Sequence, residues 1–167
     1  MVNRQTLLQR IAEKLIDHID PAAMLQEILQ QAIEMLDAAG GALSLVDDEN
    51  PDCLCISFGV GSDAGRLGIR IPKTAGLIGE VWRSGESLIV HGYHGWDKRI
   101  EDQRLDRVTT VLAAPVKVGG EMVGVIQLAW QDKETTVLPE EKFIFEQFSR
   151  LAAVAMENLV LQRRLRE

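Results

Sequence analysis

The segment His91-Gly-Tyr93-His94-Gly-Trp96-Asp97-Lys-Arg99 gathers two of the chain's three histidines, its only tyrosine and one of its three tryptophans. Aromatic bodies with a few polar tips are what a small-molecule pocket presents, and they serve equally well to plug the face of a sheet. Taken as a pocket, the segment offers Tyr93 and Trp96 as apolar walls and Arg99 as the partner of an anionic group. His91 or His94 would change charge near neutral pH. Thr110, at the start of the next apolar run, joins them as a candidate ligand contact.

Other chemistry is less well supplied. Cys53 and Cys55 are the only thiols. One-residue spacing within a strand suits neither a shared tetrahedral ion with His91 and His94 nor an unstrained disulfide. A thiol enzyme wants a nucleophile and a resolving partner in a loop over a pocket, whereas these two fall in an apolar run that reads as a strand. Gly59-Val-Gly61-Ser-Asp-Ala-Gly65 lacks the Gly-Lys-Ser/Thr of a phosphate loop and precedes a strand, so an inter-strand loop is expected. Asp47-Asp-Glu-Asn lacks the glycine and terminal glutamate of a calcium loop. No set of residues reads as catalytic, and the expectation is a binding module with no enzyme activity and no cofactor beyond an unidentified small ligand.

The elements that must carry these residues are legible from periodicity. Leu8, Ile11, Ala12, Leu15 and Ile19 make one helical stripe, and Leu25, Ile28, Leu29, Ala32, Ile33 and Leu36 a second. Asp20-Pro21 caps and starts the second helix, and Gly40-Gly41 is expected to end it. Strands are expected at 42–46, 53–58, 69–71, 87–90, 109–118 and 122–130. A glycine-rich loop fills 59–68. Gly119-Gly120 turns the last two strands into a hairpin. A short helix spans 77–84 with Thr74 as its cap, and 92–107 is irregular. A last helix runs from Pro139 to Arg166 with the stripe Ile144, Phe145, Phe148, Leu151, Ala152, Ala155, Met156 and Leu159. At about 42 Å it outruns a six-residue strand of about 20 Å, so its stripe is expected to extend past its own domain and want a partner. This order does not alternate strand and helix as a doubly wound sheet would. It predicts an α+β fold, with a central antiparallel sheet of about six strands, helices on both faces and long terminal helices.

A net charge of −7 disfavours nucleic acid as a partner. The cluster Arg163, Arg164 and Arg166 complements the carbonyl end of a helix. No run approaches the roughly 20 apolar residues of a membrane span. The start of the chain is amphipathic in place of an apolar signal, and the two thiols suit a reducing compartment, so a cytoplasmic location is expected.

The stretch Gly68-Ile-Arg-Ile-Pro-Lys-Thr-Ala-Gly-Leu-Ile-Gly-Glu-Val-Trp-Arg-Ser-Gly-Glu-Ser-Leu-Ile-Val90 resembles the middle of a GAF domain, a sensory and regulatory family. Thr110-Val-Leu-Ala-Ala-Pro-Val-Lys-Val-Gly-Gly-Glu-Met-Val-Gly-Val-Ile-Gln-Leu128 is similar to the family's hairpin. The resemblance covers about residues 22–160 and implies a PAS-like sheet on which the segment after His91 closes a pocket. Gly92 stands where many members carry an aspartate. The Asn-Lys pair of cyclic-nucleotide-binding members is absent after Trp130, and 91–107 holds no cysteine for a bilin. Neither a cyclic nucleotide nor an attached tetrapyrrole is therefore expected. The domain organisation expected is a helix over 1–19 for dimerisation and signalling, a GAF domain over 20–160 and a helical extension over 161–167. The expected function is a sensory module that binds a small ligand or partner and relays the change through the terminal helices of a homodimer to an effector. A ligand-free dimerisation module and a small cysteine-dependent reductase of free methionine sulfoxide are the alternatives.

Overall fold

The computed structural model describes residues 4–17 and 20–166, with side chains described for 4–10, 20–159 and 161. Helix α1 (Arg4–Asp17) leads to α2 (Pro21–Leu36), where Asp20 Oδ1 accepts a hydrogen bond from the Ala22 amide and Pro21 opens the first turn. Asp20 thus satisfies one of the amides a helix start leaves open. At the other end Asp37, in a left-handed conformation, returns its amide to the Ile33 carbonyl. The expected stop at Gly40-Gly41 is therefore replaced by Asp37, and the two glycines open the first strand instead.

Six strands follow: β1 (Gly40–Val46), β2 (Cys53–Gly61), β3 (Arg70–Pro72), β4 (Leu88–His91), β5 (Val108–Val118) and β6 (Glu121–Gln131). They form one sheet in the order β3-β2-β1-β6-β5-β4, antiparallel at every pair. The β5–β6 turn works because Gly119 and Gly120 both take positive φ, 59° and 83°, the backbone a two-residue hairpin needs. Pro115 neither ends nor breaks β5. It lies beyond the last β4 pair, Leu88 with Ala113, where β5 has a partner strand on one side only.

Alternation along the strands builds two cores. Leu43, Leu112, Ala114, Ile126, Leu128 and Trp130 face α2 and α4 (Pro139–Arg166), together with the fully buried Phe145 and Phe148. Burying a side chain of that size stabilises the fold by about 1.5–3 kcal/mol. The Trp130 indole donates to the Leu36 carbonyl at 3.3 Å and pins the end of α2 to β6. On the opposite face Ala42, Leu54, Ile56, Val111, Ala113, Val125 and Ala129 pack under α3 (Gly76–Ser84) and the loop 92–107. Helix α3 starts at Gly76 after Ala75, without a side-chain cap, so the cap expected from Thr74 is not made.

The expected unpartnered stripe on α4 is corrected. Ala152, Ala155 and Met156 are buried, and Leu151 and Leu159 pack against the same core, because α2 lies alongside and covers them. Leu7 and Leu8 of α1 join that core. The rest of the first stripe (Ile11, Ala12, Leu15, Ile19) and the basic cluster Arg163, Arg164 and Arg166 lie outside the described side chains. Among the described residues, the large apolar side chains that α4 leaves exposed are Phe143, Val154 and Leu161, at 62%, 47% and 49% exposure. They stand about three and two turns apart, on one stripe. Among the described residues, no helix is long and apolar enough to cross a membrane.

Candidate functional site

Strand β2 runs three residues past its expected end, to Gly61, and folds into a short 3-10 turn, Ala64–Arg66, where a plain loop is expected. That turn places Asp63 and Arg66 beneath the loop 92–107, at 2% and 4% exposure. Arg66 Nη1 donates to Asp63 Oδ1 at 3.3 Å. Arg66 Nε and Asp63 Oδ2 are buried with no hydrogen-bond partner. Such atoms are costly inside a protein, and the nearest carboxylate to Arg66 Nε outside its own pair is Asp102 Oδ2, at an ion-pair distance of 3.9 Å.

Both residues line a cavity of about 30 Å³ between the sheet and its cover, room for about one or two waters. Ile71, Leu77, Ile78, Val111 and Ala129 make its apolar walls, and Gln127 and Tyr93 add polar groups. A second, open cleft of about 310 Å³ lies outside, lined by His94, Arg99, Glu101, Asp102, Gln103 and Asp106. Tyr93, Ile100 and Leu105 line both spaces and so form the wall between them. Ile100 is seated against Gly76, where an added Cβ would stand 2.8 Å from Ile100 Cγ1. Only glycine lets the start of α3 come that close.

Electrostatics follow from this enclosure. Burial pushes the Asp63 carboxyl above its ordinary value, outweighing the pull of Arg66. Burial likewise raises the Tyr93 phenol, against the Arg66 charge and the Ile100 backbone. Partial burial alone would raise Asp102. The Arg104 amide and guanidinium, each 3.0 Å from Asp102 Oδ1, and the charge of Arg66 hold it below the usual range instead.

The six candidates from the sequence divide between three places. Tyr93 is in the wall, and Trp96 packs against it with ring centroids 6.0 Å apart. His94 and Arg99 line the outer cleft, and Arg99 Nη1 donates to the Trp96 carbonyl at 3.2 Å. His91 and Thr110 are not on the cavity. They face each other across β4 and β5 on the side that carries α2 and α4, since Val90 and Val111 point into the cavity core. There Thr110 Oγ1 donates to the Thr135 carbonyl at 2.8 Å, and His91 Nε2 accepts from the Val137 amide at 3.1 Å. The cysteines sit on the same side of β2, alternating with the cavity-facing Leu54 and Ile56. Among the described residues, no three His, Cys, Asp or Glu side chains gather to hold a metal ion. Asp63, Arg66 and Gln127 escaped the sequence reading. The one available signal was an acid and a base three positions apart in a run of small residues.

Residues 18–157 match the family model of the GAF domain. The chain is similar to a probable 3',5'-cyclic phosphodiesterase of Caenorhabditis elegans, at 24% identity over 163 residues, 90% of this chain and 22% of that protein. It thus spans about a fifth of that relative's length. Among solved structures it is similar to the GAF domain of a phosphoenolpyruvate-protein phosphotransferase from Coxiella burnetii (17% identity, TM-score 0.84, 97% of each chain). It is also similar to the free methionine-R-sulfoxide reductase of Neisseria meningitidis, solved with its substrate (18% identity, TM-score 0.78, 92% of this chain and 88% of that one). At these identities the likeness to the solved structures is one of fold.

Proposed function

The chain belongs to the GAF domain family, a family of sensory and regulatory modules, and on that premise we propose that it binds a small molecule beneath the loop 92–107 and relays the event to α4 in a homodimer. The observation that carries this reading is the orphaned pair Arg66 Nε and Asp63 Oδ2 in a cavity closed by three side chains. A ligand that moves Tyr93, Ile100 or Leu105 strains the loop that begins at Gly92. His91, the residue before it, holds the Val137 amide two residues ahead of α4. Ligand and helix are thereby joined by a short mechanical path, and a relay then needs only two helix packings that the ligand favours unequally. The stripe Phe143, Val154 and Leu161 suits a second copy as the surface against which α4 shifts.

No enzyme activity is part of this reading. The thiols of Cys53 and Cys55 lie across the sheet from the cavity, which argues against the cysteine-dependent reductase alternative. A ligand-free dimerisation scaffold is the second reading, and the small volume of the closed cavity favours it. Native mass spectrometry of the purified chain, with a thermal-shift panel of small metabolites, tests the first. Retained mass or stabilisation supports a sensor, and neither across the panel supports the scaffold. A monomer at tens of micromolar in light scattering would remove the dimeric relay.

A further inference from the structure

Resting on the reading of the cavity as a ligand site, we propose that the Asp63–Arg66 pair recognises a small zwitterion, a free α-amino acid with an apolar side chain. The ammonium meets Asp63 and the carboxylate meets Arg66. Three observations select this chemistry. The orphan atoms are one acceptor, Asp63 Oδ2, and one charged donor, Arg66 Nε, so a partner that satisfies both carries a donor and an acceptor.

Charge comes second. Asp63 and Arg66 neutralise each other, and Asp102, whose nearest approach to Arg66 Nε is 3.9 Å, is already held by Arg104. A bare anion or a bare cation would add an unbalanced charge to a buried neutral pair, whereas a zwitterion adds none. Third, the rest of the wall is aliphatic, with Ile71, Leu77, Ile78 and Val111 facing the same space. They suit an aliphatic or thioether side chain in place of a polar one.

An amino acid is larger than the closed cavity. It enters through the wall of Tyr93, Ile100 and Leu105, whose outward movement joins the inner space to the outer cleft.

Isothermal titration calorimetry on the full chain tests this with L-leucine, L-valine and L-methionine, and with three analogues of leucine. Isocaproate lacks the ammonium, isoamylamine lacks the carboxylate, and isocaproamide is a neutral donor and acceptor. The expected result is binding of at least one amino acid, with each analogue about tenfold weaker or worse. The Asp63→Asn variant narrows the gap between leucine and isocaproate to about threefold or less. Hydrogen exchange on the unmodified protein, which needs no variant to fold, shows leucine protecting amides in 63–66 and 92–107.

An analogue that equals leucine, no protection in 63–66 and 92–107, or an undiminished gap in a folded Asp63→Asn overturns the proposal. So does silence from all three amino acids. If the thermal-shift panel then finds another ligand protecting 92–107, the sensor reading stands and only the zwitterion falls; if nothing binds, both fall.

Discussion

His91 Nε2 accepts a hydrogen bond from the Val137 amide at 3.1 Å, which ties the last residue of β4 to the approach to α4. The same imidazole precedes the loop that covers the cavity. The sequence reading takes His91 as a ligand contact; the structure places it on the helix side of the sheet, away from the cavity, a position that suits the proposed relay. Replacing His91 by Ala leaves the Val137 amide without this acceptor, at a cost of about 0.5–1.5 kcal/mol. Val137 is expected to exchange its amide hydrogen faster while amides in β6 keep their protection. Equal protection of Val137 in both proteins would show that the bond does not hold this segment.

The wall between cavity and cleft responds to two substitutions in different ways. Gly76→Ala places a Cβ against Ile100 and forces alanine into a left-handed φ of 59°, which alone costs about 1–2 kcal/mol. Leu105→Ala removes half-shared wall and is expected to cost about 2–3 kcal/mol. Both should lower the urea midpoint. Only Leu105→Ala, which opens a passage, should speed the entry of an apolar probe in stopped-flow.

Asp63 sets a pH dependence whose sign follows from its burial. Its folded carboxyl titrates above the ordinary value of 3.8, so the fold favours the protonated form. Its contribution to stability is therefore greatest below that ordinary value, and falls as pH rises towards the folded value. In Asp63→Asn this term is gone. The stability difference, unmodified protein minus variant, should decrease as pH rises through that window in urea titrations. A difference that rises with pH would mean that Arg66 outweighs desolvation.

Val154 is half exposed on α4 and stands in line with Phe143 and Leu161. Val154→Asp should change the stability of the protomer by only about 0.5 kcal/mol. Sedimentation should nevertheless show the proposed dimer dissociating. Retention of the dimer would move the subunit contact away from this stripe.

Changing both Cys53 and Cys55 to Ser tests the redox alternative. Both thiols are half-buried on the face away from the cavity. Ligand retention should be unchanged and the melting temperature nearly so, while loss of binding would bring the thiols back into the site.

Periodicity alone determined the kinds and order of elements here. The stripe of α2, the hairpin at Gly119-Gly120 and the six apolar runs each report local backbone preference and which face is apolar, and the motifs around Gly76 and Pro115 were enough to recognise the family. Element ends moved by one to three residues where a neighbour decided them, as when Asp37 took the cap expected of Gly40. What only the tertiary structure decided was which chemistry meets. Side chains alternate along a strand, so a one-residue difference in register sends His91 and Thr110 to the helices and Val90 and Val111 to the cavity. Asp63 and Arg66 look like ordinary surface charges in the chain. They become a buried pair because β2 runs on to Gly61 and because a loop some thirty residues later folds over them. Burial is a property of what packs on a residue from far along the chain, and no local pattern encodes it.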